Sequence, residues 1–275
     1  MSRYLLGIDV GGTFTDFVAY DLEEKTLLAW KRLSTPEDPT TGILDGLQHF
    51  GPVTSIDNVR LGTTVATNAI LERKGGRIAY VTTSGFRDIP FLQRGHREHH
   101  YDSAWIRSKP LVKRRDCFEI TERILSTGEV HTPLDDDSVR RVAEQVRADG
   151  GIEAIAICLL FSYVNPVHEE RARDIPRQEI PQLPISISFE VLPKWKEYER
   201  ASTTLADAYI KPIVHNYLRD MRQRFSDHDI TDQVAMIKSN GGEMSLEAAR
   251  ERPIHLTLSG PTGGVVAAHH IAAQL

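Results

Sequence analysis

The chain has 275 residues, 40% hydrophobic and 26% charged; that exceeds the roughly 100–200 residues of one domain and supplies apolar material for two cores. Its 33 Lys and Arg against 38 Asp and Glu leave a net charge of −5, which offers no electrostatic basis for nucleic acid or an anionic membrane as a partner. No apolar run approaches the roughly 20 residues of a membrane span, no secretory leader is visible, and two cysteines make no disulfide framework, so a cytoplasmic protein is expected.

Residues 5–10 (LLGIDV) form an apolar run carrying one acid, Asp9, and the run breaks at Gly11-Gly12-Thr13. A second β-like run, Phe14 to Tyr20, follows after almost no connection, which predicts a hairpin. Residues 26–33 add a third strand, completing a meander. Pro39-Thr40-Thr41 leads into a helix with Ile43, Leu44 and Leu47, stopped at Gly51-Pro52. A short strand at 59–61 ends in Gly62-Thr63-Thr64, a helix spans 66–73 up to Gly75-Gly76, and the next strand is 77–82. Residues 84–134 read as a lid-like insertion with a hairpin near 117–124 and 129–132. Asp135–Asp137 then cap a helix with Val139, Val142, Ala143 and Val146 on one face, ending at Gly150-Gly151. Residues 154–161 (AIAICLLF) are continuously apolar, as in a strand covered on both faces. A helix over 167–178 and a strand at 185–189 follow.

Pro181, Pro184 and Pro193 mark a connection to a second unit. It opens with a long helix over 199–225, where Leu205, Tyr209, Ile213, Tyr217, Met221 and Phe225 are spaced by four and Pro212 is expected to bend it. Strands at 234–238 and 255–258 flank a turn at 239–242, and a last helix starts within 259–264. The layout is mixed α/β, with domains at 1–190 and 191–275.

The opening turn carries the clearest chemistry. Glycines let backbone N–H groups crowd around an anion, and Asp9 is a hard oxygen donor suited to Mg²⁺ or its waters. With Thr13 and Thr15 beside it, the turn reads as a nucleotide-phosphate site rather than an ordinary hairpin. Thr63, Thr64 and Asn68 stand at a strand end and helix start, where they suit either phosphate contact or N-capping. Ser239–Gly242 and Ser259–Gly264 are glycine-rich segments that read as tight turns. The segment 95–102 (GHREHHYD) holds three histidines and two acids, yet its spacing is not HExxH, and a solvated polar loop is expected. Cys158 lies in the apolar strand and reads as core; His269-His270 read as exposed helix-end residues. GxGxxG and GxxxxGK[ST] are both absent, against Rossmann and Walker A sites.

Seven motifs together resemble the hydantoinase A/5-oxoprolinase family: GIDVGGTFTD (7–16), GTTVATNAILERKG (62–75), VTTSGFRD (81–88), FSYVNPVHE (161–169), EYERASTTLADAYIKP (197–212), SNGGEMS (239–245) and SGPTGGVV (259–266). The resemblance implies an actin-like ATPase (ribonuclease H-like) α/β fold, with a complete first lobe and the start of a second. It implies an ATP- and Mg²⁺-using amidohydrolase or carboxylase subunit that activates a cyclic amide or ketone by phosphorylation, with a B-type subunit completing the reaction. Carried onto this chain, it puts Asp9 at Mg²⁺ and catalysis, Gly11, Gly12, Thr13 and Thr15 at phosphate, and Thr63, Thr64, Ser259, Gly260, Gly263 and Gly264 around the nucleotide. Phosphoryl transfer depends mainly on positioned donors and charge neutralisation, and these residue types suit it.

The chain departs from the family pattern at three places. Leu61 stands where a histidine usually precedes GTTVATN, and Thr262 and Ala267 replace Ala and Gly. The family's second phosphate loop is not reached by Leu275, so at most weak ATP binding and little turnover are expected of the chain by itself. Two further readings are a non-catalytic nucleotide-binding or assembly module that docks a B-type chain, and a sugar kinase, which shares the Asp-x-Gly-Gly-Thr turn. The zinc-cysteine motif of one such kinase group cannot be built from Cys117 and Cys158, 41 residues apart.

Overall fold

The computed structural model describes residues 3–51, 53–95 and 99–273, without the side chains of residues 270 and 271. His96, Arg97 and Glu98 of the polar segment, and the side chain of His270, lie outside that description. The chain forms two compact units, Met1–Lys74 with Ile213–Leu275, and Gly75–Pro212. This spatial division differs from a boundary near residue 190, because the chain leaves the first unit and returns to it.

In the first unit, β1 (Tyr4–Val10), β2 (Phe14–Asp21) and β3 (Leu27–Leu33) form the expected antiparallel meander. Alternation puts Leu6, Ile8, Val10, Phe17 and Ala19 into the core. Phe17 stacks on Trp30 at 5.1 Å between ring centres, and Trp30 stacks on Phe50 at 5.3 Å. Helix α1 (Pro39–Gln48), capped by the Asp38 carboxylate accepting from the Thr41 amide, buries Ile43 and Leu47. β4 (Ile56–Thr63) runs parallel to β1 and passes directly into α2 (Val65–Leu71).

The second unit contains β5 (Ile78–Thr83), α3 (Ile89–Leu92), β6 (Cys117–Ile120), β7 (Arg123–Ile124), β8 (Val130–Thr132), α4 (Asp136–Asp149), β9 (Ala154–Cys158), α5 (Val167–Glu179), β10 (Ile185–Ile187) and α6 (Ser188–Val191). Its sheet has the order β10-β9-β5-β6 and is parallel throughout. Every residue of β5 and β9 is buried, as the unbroken apolar run of β9 implies. Val139, Val142, Ala143 and Val146 of α4 enter the same core. Cys117–Ile120 corrects the lid reading: it is a parallel strand beside β5, while the insertion's hairpin is only β7 with β8. Thr121 and Glu122 separate the two strands, and that corner, with a buried acid, hides the change of partner from local pattern.

Helix α7 (Glu197–Asp227) is continuous through Pro212, and the two compact units divide directly after that proline. β11 (Val234–Ile237), β12 (Glu243–Ser245), α8 (Leu246–Glu251) and α9 (Ser259–Ala272) then complete the first unit. β11 pairs parallel with β4, giving the order β12-β11-β4-β1-β2-β3. The strand expected at 255–258 is absent: Pro253–Leu256 make a 3-10 turn and Leu258 is left-handed, φ 62°. Ile254, Leu256 and Leu258 alternate as in a strand, but of the three only Leu256 is buried. No helix among the described residues is long and apolar enough to cross a membrane.

Candidate nucleotide-phosphate site

The site grows out of the β1–β2 turn. The Gly11 amide donates to the Phe14 carbonyl at 3.0 Å, and a Cβ on Gly11 would stand 2.8 Å from that oxygen, so only glycine closes the turn this tightly. Gly12 and Thr13 are exposed at its tip. The register sets Asp9 opposite Asp16 on β2 and opposite Gly62 on β4. Residues directly opposite share a sheet face, so both acids lie on the side away from the buried Ile8 and Val10. The Asp9 carboxyl is raised above its ordinary value, first by desolvation and then by the Asp16 charge. A Cβ on Gly62 would lie 2.9 Å from Asp9 Oδ1, and one on Gly260 would lie 3.0 Å from it. Two glycines from separate motifs therefore wall the carboxylate without covering it.

Gly260 is held there by its neighbour. Ser259 is buried, its hydroxyl donating to the Thr63 carbonyl at 3.0 Å and accepting from the Thr63 amide at 3.3 Å. The left-handed Leu258 donates its amide to Thr67 Oγ1 at 2.9 Å. These bonds tie the start of α9 to the end of β4 and to α2. Thr64 fastens the next corner: its amide and hydroxyl both donate to the Val10 carbonyl, at 3.0 and 3.1 Å. Asn68 Nδ2 donates to Thr64 Oγ1 at 3.2 Å and lies 3.8 Å from where a Gly12 Cβ would be. Gly11, Gly12, Thr64, Asn68, Asn216 and Tyr217 line a cleft of about 750 Å³.

The structure thus brings Asp9, Gly11, Gly12, Thr13, Ser259 and Gly260 together. Thr15 faces the other way; it is buried against Ser34, whose hydroxyl donates to the Gly11 carbonyl at 2.8 Å, so it braces the turn from behind. Thr63 is buried, its hydroxyl accepting from the Val65 amide, and the Thr64 hydroxyl is engaged with Val10. Gly263 and Gly264 lie within α9, where an added Cβ would meet nothing within 4 Å. Leu61 is fully buried in the core and offers no polar group.

Asp16 and Gly62 were not singled out by residue type. Asp16 was accessible in principle, since positions 9 and 16 are equidistant from a turn centred on 12–13; Gly62 needed the parallel register. Two carboxylates on one open face suit Mg²⁺, which usually takes one or two protein carboxylates and fills its remaining positions with water and phosphate oxygens. Among the described residues no group of three metal-ligating side chains occurs, and His99, His100 and Asp102 are exposed.

The family model described as the hydantoinase/oxoprolinase N-terminal region matches residues 5–180, and the hydantoinase/oxoprolinase model matches 200–275. An uncharacterised protein of Methanocaldococcus jannaschii is 35% identical over 276 residues, covering 99% of this chain and 40% of its own length. The caprolactamase alpha subunit of Pseudomonas jessenii is 34% identical over 270 residues, covering 94% of this chain and 38% of its own. The crystal structure of ATP-dependent caprolactamase from that organism superposes with a TM-score of 0.86 at 33% identity, over 94% of this chain and 39% of that one. Nucleotide-free acetone carboxylase, from work on ATP-dependent acetone carboxylation, superposes with a TM-score of 0.85 at 27% identity, over 99% of this chain and 41% of that one. The chain spans about two fifths of the length of these relatives. Its fold is of the actin-like ATPase α/β kind, and the chain belongs to the hydantoinase/oxoprolinase family.

Proposed function

We propose that this chain is the nucleotide-holding part of a cytoplasmic ATP-dependent amidohydrolase subunit, acting on a cyclic amide or related carbonyl with a B-type partner subunit. The observation that carries the reading is the Asp9 carboxylate, open between Gly62 and Gly260 and opposite Asp16. A bound Mg²⁺ would neutralise phosphate charge during transfer. Asp9, with Asp16 across the strand pair, would hold that ion or its waters. The Gly11–Thr13 tip would approach the phosphate with backbone rather than side chain. Ser259 keeps the start of α9 beside the same carboxylate. The caprolactamase and acetone carboxylase relatives are ATP-dependent, and several relatives are subunits, which supports a partner.

Calorimetry with ATP, with and without Mg²⁺, tests the reading. Saturable Mg²⁺-dependent binding is expected, and Asp9→Ala is expected to remove it with the thermal melt unchanged. Mg²⁺-dependent binding that survives in Asp9→Ala would take Asp9 out of the site.

A further inference from the structure

The second unit has a cleft of its own, about 730 Å³, within the roughly 300–1,000 Å³ of small-molecule sites. Three non-glycine residues on its wall hold left-handed backbone: Gln93 (φ 55°), Phe161 (φ 56°) and Lys196 (φ 82°). Such conformations persist when surrounding bonds over-determine them, and they gather at ligand sites. At Phe161 those bonds are in view. The Leu159 amide donates to Oε1 of the buried Glu169 at 2.8 Å, and the Leu160 amide donates to Thr83 Oγ1 at 3.1 Å. The buried Arg200 donates to the Leu159 carbonyl at 2.6 Å and to Ser162 Oγ at 2.5 Å. A buried polar frame therefore sets the chain on both sides of Phe161, and with it the ring.

That ring faces Arg123. The Arg123 guanidinium carbon lies 5.9 Å from the Phe161 ring centre and 5.3 Å from that of Phe86. Asp88 pairs with Arg114 and Arg94 with Glu199; Lys196, whose Nζ lies 5.0 Å over the Trp195 ring, and Glu197 are the other charged groups on the cleft wall. Among the described residues no carboxylate pairs with Arg123. A planar cation between two aromatic rings, with its N–H donors unclaimed, is prepared for an oxoanion that can accept two parallel bonds. Leu92 and Trp195, both mostly exposed on the same wall, supply apolar surface beside it.

We propose that this cleft binds a small planar organic monocarboxylate, its carboxylate held by Arg123 and its apolar body against Leu92 and Trp195. The guanidinium fork suits either oxoanion, and the exposed apolar surface of Leu92 and Trp195 beside it favours an organic carboxylate over inorganic phosphate. The site is separate from the Asp9 turn and does not rest on the nucleotide reading, so it is tested without nucleotide.

Benzoate is the probe, titrated into the chain by calorimetry, with benzamide as the uncharged isostere and inorganic phosphate as the apolar-free anion. Benzoate is expected to bind saturably, with benzamide and phosphate each about tenfold weaker or more. Arg123→Gln is expected to lose about tenfold or more in benzoate affinity at an unchanged melting temperature, and Arg123→Lys, which keeps charge without the fork, to fall between. The proposal is overturned by an absence of saturable benzoate binding, by benzamide or phosphate binding as tightly as benzoate, or by parental affinity in the Lys variant, which also decides the matter if the Gln variant does not fold.

Discussion

Asp9 draws its character from what its neighbours lack. Gly62 and Gly260 leave its carboxylate reachable, and a methyl group at either position would stand about 3 Å from Oδ1, tighter than ordinary van der Waals contact. Gly62→Ala or Gly260→Ala should therefore turn the carboxylate away from its present direction. The expected result is a loss of about tenfold in Mg²⁺-dependent ATP affinity, the worth of one charge-assisted contact, read by calorimetry beside a thermal melt. Affinity equal to that of the parent chain would mean that these glycines do not shape the site. Thr15 shows the complementary case, in which strand alternation turns a residue of suitable chemistry toward the core.

At the scale of elements, the same close approach governs packing. Gly46 of α1 lies against Phe17, and a Cβ there would come within 2.1 Å of the ring. The ring has little room to move, since it stacks on Trp30, whose Nε1 donates to the Gly46 carbonyl at 2.9 Å. Gly46→Ala should cost about 1–3 kcal/mol by overpacking, despite the better helix propensity of alanine. Urea unfolding measures it, and an unchanged midpoint would show that α1 can shift without loss. Helix α4 was legible because its apolar residues keep the helical period and Asp135 caps it. β6 was not, because its partner is β5, 34 residues or more earlier in the chain.

Across the whole molecule, exposed arginine–carboxylate pairs are expected to contribute to the acid limb of stability. Arg114 holds the Asp88 carboxyl below its ordinary 3.8, Arg171 does so for Asp136, and Arg77 for Asp149, each first through a direct hydrogen bond. A carboxyl lowered in the folded state binds fewer protons there than in the unfolded chain. Its contribution is therefore present above the ordinary value and is lost as pH falls through the folded value. The contribution of these pairs should be lost below about pH 4, seen as falling urea midpoints, with a shallower fall at about 1 M salt, where exposed pairs are screened. A midpoint that holds at about pH 3 would show that these pairs carry no net stability.

The meander, the Gly11-Gly12 turn, the buried strand β9 and the family motifs could all be read from residue order. Each rests on local periodicity or on a short run of residues whose chemistry is visible by itself. Local pattern could not supply the return of residues 213–275 to the first unit, the left-handed Leu258, or the meeting of Asp9 with Gly62 and Gly260. Those depend on parallel pairing and on a serine bonded to a strand end 196 positions away. Which face a residue shows follows from neighbours in sequence; which residues it faces is decided by long-range register, and the site is made of such meetings.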